Sequence, residues 1–150
     1  MTEILFYHLE RASLESVLPG LLEKTLDRGW KAVVRAGSRA RVEALDGLLW
    51  TYRDDSFLPH AAGGVEATRQ AVWLTDGDDV PNAADILFLV DGAKAEPAAL
   101  GGFVRCVTIF DGADTAAVAA ARAFWKDAKA AGHDATYWKQ SESGRWEKEA

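Results

Sequence analysis

Ile86-Leu87-Phe88-Leu89-Val90 is a run of five consecutive apolar residues. A strand with one solvated face alternates apolar and polar side chains, whereas a strand that is buried on both faces does not alternate. The run therefore predicts a strand covered on both sides. Such strands are typical of parallel sheets that carry helices on both faces.

Shorter apolar runs on both sides of this segment predict further strands. They are Ile4–Tyr7, Lys31–Arg35, Val72–Leu74, Val104–Phe110 and Thr136–Gln140. We expect Thr136–Gln140 to be the last strand. Ser143 and Gly144 then predict a turn before Trp146, and the final residues are expected to fray.

Two helices are predicted between these strands. The first carries leucines at helical spacing, at positions Leu18, Leu21, Leu22 and Leu26. Pro19 is expected in the first turn of this helix or at a kink, because proline cannot donate an interior hydrogen bond, and Gly29 is a plausible stop. Ser38 is a candidate cap for the second helix. The core stripe of that helix is Val42, Leu45, Leu48 and Leu49.

A third helix is rich in alanine and is predicted from Asp114 or Thr115 to Gly132. The residues at the spacing of a buried stripe along this helix are Ala117, Ala120, Ala121, Phe124, Ala128 and Ala131. Strands that alternate with helices indicate an α/β fold. We therefore predict one domain over residues 1–150, with a Rossmann-like, mainly parallel sheet flanked by helices.

Composition narrows the classes of function. The chain has 150 residues, of which 49% are hydrophobic, so it can bury a proper core. Its net charge of −6 repels nucleic acid, so we expect contact with DNA only through another protein. Cys106 is the single cysteine, which excludes an internal disulfide and fits a reducing compartment. The first residues do not resemble a signal peptide and no apolar run could span a membrane, so we expect a cytoplasmic protein.

Motifs for phosphate chemistry are missing. Ala36-Gly37-Ser38-Arg39 follows a predicted strand, as a nucleotide-binding turn would, but it lacks the three spaced glycines of that motif. No phosphate loop with a Gly-Lys-Ser/Thr sequence occurs. A small Rossmann-like nucleotide-binding enzyme is therefore the alternative function and not the first expectation.

Side chains that could carry catalysis or hold a metal are scattered. His8, His60 and His133 have no second ligand at helical or hairpin spacing. Acidic pairs such as Asp54-Asp55 are expected on solvated loops. Cys106 lies in an apolar run and is expected to be a buried hydrophobe rather than a nucleophile. We expect no metal, no cofactor and no catalytic activity of the chain itself.

One face of the alanine-rich helix combines an aromatic ring with positive charges. Four residues at positions i, i+3, i+4 and i+7 share this face, namely Arg122, Trp125, Lys126 and Lys129. Phe124 is expected to anchor the core beside it. Such a face suits a short peptide that brings an apolar side chain and carboxylates. The alternative is an amphipathic helix whose Trp completes the core and whose cations are solvated, and helical spacing alone favours this alternative.

Aromatic residues also mark the segment after the second predicted helix. Trp50 ends that helix, and Phe57 and Pro59 follow in an irregular segment that reaches Gln70. A loop of this length is usually functional, and a Pro-stiffened aromatic loop suits a protein partner or a second copy of the chain. A loop that folds back to cap the core fits the sequence equally well.

Several short segments share their order with a known family. They are Phe6-Tyr7-His8-Leu9, Leu45-Asp46 with Leu49-Trp50, Ser56-Phe57-Leu58-Pro59-His60, Asp85-Ile86-Leu87, and Arg122 with Trp125-Lys126. Together they resemble the chi subunit of bacterial DNA polymerase III over nearly the whole chain. The block from Leu45 to His60 is the most specific part of this resemblance.

The resemblance implies a Rossmann-like accessory protein of the clamp loader without catalysis of its own. Members of the family bind the psi subunit through a region that corresponds here to Trp50, Phe57 and Pro59. This chain would therefore bind psi or an equivalent component of the clamp loader.

The resemblance also implies a second partner. Members of the family bind the acidic C-terminal tail of the single-stranded DNA-binding protein through a basic and aromatic pocket. The corresponding positions here are Arg122, Trp125 and Lys126. Another basic position of the family, one turn before Arg122, is Val118 in this chain. The implied function is a bridge between the clamp loader and the protein that coats single-stranded DNA.

Overall fold

The computed structural model describes residues 2–10, 12–51, 70–140 and 145–149. The elements, in chain order, are β1 (Glu3–Leu9), α1 (Leu14–Asp27), β2 (Ala32–Arg35), α2 (Arg39–Thr51), β3 (Val72–Thr75), β4 (Ile86–Leu89), a 3₁₀ helix (Pro97–Gly102), β5 (Arg105–Asp111), α3 (Thr115–Ala130), β6 (Asp134–Gln140) and β7 (Trp146–Lys148). No helix in these ranges combines the length and the apolar character needed to cross a membrane.

The strands form one sheet in the order β3-β2-β4-β5-β1-β6-β7. All neighbouring pairs are parallel except β6 and β7. Parallel neighbours need crossover connections, and helices supply several of them here. The predicted α/β class, with a Rossmann-like, mainly parallel sheet flanked by helices, is confirmed.

The sheet separates two apolar layers. Neighbouring residues of a strand point to opposite faces, so Leu5 joins the layer under α1 and α2, whereas Ile4 and Phe6 join the layer under α3 and the 3₁₀ helix. In β4, Phe88 belongs to the first layer and Leu87 to the second. The unbroken apolar run is therefore explained, because both faces of β4 are buried.

Capping side chains set where the helices begin. The Ser13 hydroxyl accepts a hydrogen bond from the Ser16 amide at 3.2 Å, and α1 starts at Leu14. Pro19 therefore lies one turn further into the helix than we predicted, with its side chain buried. The predicted cap at Ser38 is confirmed by a hydrogen bond of 3.3 Å from the Arg41 amide.

The C-terminal part of the sheet differs from the prediction. β6 is not the last strand, because β7 pairs with it in antiparallel register. Trp146 packs its ring 4.7 Å from the ring of Tyr7, so an apolar contact joins β7 to β1. Ser143 and Gly144, the predicted turn, lie outside the described residues.

Two connections at the carboxyl edge of the sheet meet at Gly37. This residue follows β2, and the turn at Asp91 follows the neighbouring strand β4. A Cβ atom placed on Gly37 would come within 2.1 Å of the Asp91 backbone oxygen. Backbone atoms held by two paired strands cannot move aside cheaply, so the position requires glycine.

We expect Gly37→Ala to lower the free energy of unfolding by about 1–3 kcal/mol, because it overpacks a backbone contact. Gly20→Ala is the matched control, since a Cβ at this exposed position of α1 meets nothing within 4 Å. The control should stabilise the protein by about 0.5–1 kcal/mol, because alanine favours the helix. Urea denaturation measures both changes. Equal stability of the two variants would contradict the proposed contact.

Candidate functional site on helix α3

Helix α3 lies over β5 and β6 and begins at its predicted cap. The Asp114 carboxylate accepts hydrogen bonds from two amides of the first turn, at 3.0 and 3.2 Å. Ala121 and Ala128 are buried against the sheet, whereas Ala120 and Ala131, which we expected in the core, are exposed. The buried stripe of α3 is thus narrower than its sequence indicated.

Trp125 lies at the edge of this buried stripe, as predicted. Its ring is half-buried and packs 5.2 Å from the ring of Phe6 and 6.2 Å from the ring of Tyr137. The ring of Phe124 packs 5.6 Å from the ring of Phe6, but Phe124, which we expected to anchor the core, is only half-buried. Phe6 is fully buried and supports both side chains of α3. The aromatic surface of α3 therefore rests on β1 and β6.

A chain of polar contacts lies beside this aromatic packing. The Tyr137 hydroxyl is 2.5 Å from His8 Nδ1, and His8 Nε2 is 2.8 Å from Glu10 Oε1. Lys139 Nζ lies 3.3 Å from the same Glu10 oxygen, and its hydrogen bond lowers the pKa of that carboxyl. Burial raises the pKa of Tyr137, so its hydroxyl stays protonated and can donate to His8 Nδ1 when the ring proton of His8 is on Nε2, facing Glu10.

Sequence reasoning did not find Tyr137 or His8 as parts of this surface. Tyr137 lay within the predicted strand Thr136–Gln140, whereas His8 directly followed the predicted strand Ile4–Tyr7. Their proximity depends on the register between β1 and β6, which pairs Phe6 with Tyr137 and His8 with Lys139. No pattern within either segment specifies that register.

Three cations lie together on one face of α3 and, like Lys24 and Arg28 on α1 and at its end, have no carboxylate partner among the described residues. Within the described residues, Arg122, Lys126 and Lys129 have no carboxylate within 4.0 Å, and Arg122 and Lys126 are exposed. Lys129 Nζ lies 4.9 Å from the centre of the Trp125 ring, a cation–π distance. By contrast, Arg41 and Arg105 both have carboxylate partners. Among the described residues, the face of α3 therefore carries positive charge that no carboxylate neutralises.

The predicted residues at the other candidate surface are not described in the same detail. Trp50 lies in the last turn of α2, but its side chain is outside the described residues, as are Phe57 and Pro59. Earlier in α2, Leu45 and Leu49 are buried in the layer under α1 and α2, which confirms the predicted core stripe.

A cleft of about 750 Å³ opens at the carboxyl ends of β1 and β5, where Rossmann-like folds bind nucleotides. Its charged side chains are Glu15, Arg41, Asp91, Lys94, Asp111 and Asp114. Arg41 is held by Glu15 at 2.6 Å and by Asp91 at 2.9 Å, and its hydrogen bond lowers the pKa of Glu15. The first amides of α1 and α3 are bound by Ser13 and Asp114.

This cleft is poorly suited to a phosphate. Carboxylates outnumber cations among its lining residues, and the capping side chains occupy helix amides that an anion would use. Elsewhere in the described ranges, no group of three or more His, Cys, Asp or Glu residues could hold a metal ion. Cys106 is buried, as expected, and burial raises the pKa of its thiol to about 12, which disfavours a nucleophilic thiolate.

We expect Tyr137→Phe to lower the free energy of unfolding by about 1–2 kcal/mol, because it leaves the half-buried His8 Nδ1 without its donor. Tyr7→Phe is the control, since the Tyr7 hydroxyl has no hydrogen bond to a described residue. Urea denaturation at neutral pH should show a smaller change for the control. If both variants lose the same stability, the hydrogen bond to His8 does not support this surface.

Residues 1–136 match the sequence model of the family described as DNA polymerase III chi subunit, HolC. A curated relative from Rickettsia prowazekii (strain Madrid E), named probable DNA polymerase III subunit chi, is 26% identical over 91 residues. That alignment covers 60% of this chain and 55% of the relative, so the chain matches about half of the relative's length. The family match runs from β1 into β6 and includes the whole of α3. The chain therefore belongs to the DNA polymerase III chi subunit family.

Proposed function

We propose that this chain is a non-catalytic accessory subunit of the DNA polymerase III holoenzyme. It bridges the clamp loader and the C-terminal tail of the single-stranded DNA-binding protein during DNA replication. The observation that carries the proposal is the face of α3, where a supported Trp125 ring lies among cations that lack carboxylate partners in the described part of the chain. Membership of the chi family supports the replicative role.

The chemistry of the α3 face matches an acidic peptide that carries an aromatic side chain. Arg122 can donate to two carboxylate oxygens at once, and Lys126 adds a second positive charge. The half-buried Trp125 ring offers apolar surface at a position that its contacts with Phe6 and Tyr137 hold in place. Because the protein carries a net charge of −6, an acidic ligand is attracted only where such cations are concentrated.

The second partner is the psi subunit or an equivalent component of the clamp loader. We assign its binding to Trp50, Phe57 and Pro59, on the basis of the resemblance and of the aromatic, Pro-stiffened sequence. With one partner on each surface, the chain would reach DNA only indirectly. A replication subunit of this kind would act in the cytoplasm, and its function needs no cofactor.

A Rossmann-like nucleotide-binding enzyme is the alternative, and the carboxyl-edge cleft argues against it. Nucleotide phosphates would meet the carboxylates of Glu15, Asp91 and Asp111 there, with Arg41 already paired. Thermal unfolding separates the two functions, because a ligand that binds the native state raises the melting temperature. The proposal requires stabilisation by an acidic, Phe-containing peptide, whereas the alternative requires it by a nucleotide.

Lys126→Ala should weaken binding of the acidic tail peptide about two- to fivefold, the effect of one exposed ion pair. Lys126→Glu should weaken it further, because repulsion is added to the lost attraction. Binding by all variants should weaken as salt rises, since exposed charges are screened. Fluorescence anisotropy with a labelled peptide at low and high salt measures these changes.

The matched control is Lys24→Glu, which makes the same change of charge on α1, on the other side of the sheet. It should bind the peptide nearly as well as the wild type. If Lys126→Glu binds as tightly as the control, the tail does not bind at this face of α3. A lack of salt dependence would also contradict the assignment.

Phe57→Ala should weaken capture of clamp-loader components, because removing a central aromatic anchor costs about 2 kcal/mol or more of binding. Pull-down of psi or the equivalent component by the purified variant measures the loss. The melting temperature and the affinity for the tail peptide should stay at the wild-type values. A variant that unfolds would instead place Phe57 in the core and exclude it from the interface.

A further inference from the structure

Charge is unevenly distributed along the face of α3. Val118, near the beginning of the helix, is half-buried and packs against the core under α3. Arg122, Lys126 and Lys129 follow toward the end, and all three are exposed. This face therefore has an apolar end and a basic end. An acidic peptide with one terminal carboxylate would not bind equally well in both directions.

Lys129 is the cation that the structure brings into contact with the aromatic part of the face. Its ammonium lies 4.9 Å from the centre of the Trp125 ring. This cation–π contact holds the end of a flexible side chain beside the indole. The ammonium keeps its hydrogen-bond donors and can therefore bind a carboxylate beside the indole.

We propose that Lys129 binds the terminal carboxylate of the tail peptide, so that the peptide ends toward the C-terminal end of α3. This inference rests on the proposed binding of the acidic tail at this face. An aromatic side chain at the last position of such a peptide would pack against Trp125 and bring the terminal carboxylate close to the ring and hence to Lys129. The preceding acidic side chains then meet Arg122, and apolar side chains meet Val118.

A double-mutant cycle tests this contact directly. The tail peptide is prepared with a free carboxylate and with an amidated C-terminus, and both forms are titrated against the wild type and Lys129→Ala. Lys129→Ala should weaken the free-carboxylate peptide about two- to fivefold. Amidation should weaken binding less in Lys129→Ala than in the wild type, because the proposed contact joins the Lys129 ammonium to the terminal carboxylate that amidation removes. Equal effects of amidation in both proteins would overturn the proposal.

Three further variants test whether Lys129 contacts the terminal carboxylate directly or acts only through the overall charge of the protein. Lys129→Arg should retain binding and the effect of amidation, because a guanidinium also stacks on indole and donates to carboxylates. Lys24→Ala makes the same change of charge on α1. It should leave both the affinity for the peptide and the effect of amidation unchanged. Val118→Lys should strengthen binding of both peptide forms without enlarging the effect of amidation. If amidation instead has a larger effect in Val118→Lys, the peptide runs in the opposite direction.

The outcomes distinguish this inference from the function on which it rests. If the wild type binds neither peptide, the assignment of the tail to α3 is wrong. If the wild type binds and Arg122 and Lys126 contribute, but Lys129 shows no coupling to the terminal carboxylate, only the direction of the peptide is wrong. Far-UV circular dichroism checks that each variant keeps the wild-type helix content.

Discussion

Phe6, in the buried layer under α3, determines where the aromatic surface of the protein can form. β1 lies between β5 and β6 in the sheet, so this ring is enclosed by neighbouring strands on both sides. It contacts Phe124 and Trp125 of α3 and stacks 6.4 Å from Tyr137 of β6. Because protein interiors are closely packed, a change of volume at Phe6 would shift the indole of Trp125 and the cations beside it. The aromatic part of the α3 face is therefore continuous with the core, so a change in core packing is expected to alter this face as well as the stability of the protein.

The distribution of ion pairs gives the α3 face its chemical character. The protein has more acidic than basic residues, and several of its cations are held by carboxylates within the fold. In the described part of the chain, the cations of α3 lack such partners, and one of them contacts an indole. Arg41 and Arg105 are each held by carboxylates of the folded chain, which fixes their side chains. A cation without such a partner remains available for another molecule.

The carboxyl-edge cleft shows why a Rossmann-like sheet need not bind a nucleotide. A nucleotide site in such folds uses free helix amides and glycine-rich turns that admit a phosphate. Here Ser13 and Asp114 occupy the helix amides, and Glu15 and Asp91 hold the one arginine of the cleft. The sheet is Rossmann-like, but among the described residues that line this cleft the carboxylates outnumber the cations, which disfavours a phosphate.

The sequence by itself determined the fold class, the alternation of strands and helices, the cap at Ser38 and the shared helical face of Arg122, Trp125 and Lys126, and it narrowed the start of α3 to Asp114 or Thr115. These features depend on local patterns, namely apolar runs, helical spacing and capping side chains. Only the tertiary structure decided the strand order, the pairing of β7 with β6, and the support of Trp125 by Phe6 and Tyr137. It also decided which cations lack partners in the described residues and that Lys129 lies over the indole. These contacts join residues that are far apart in the chain or depend on side-chain packing, and no local pattern encodes the register that brings them together.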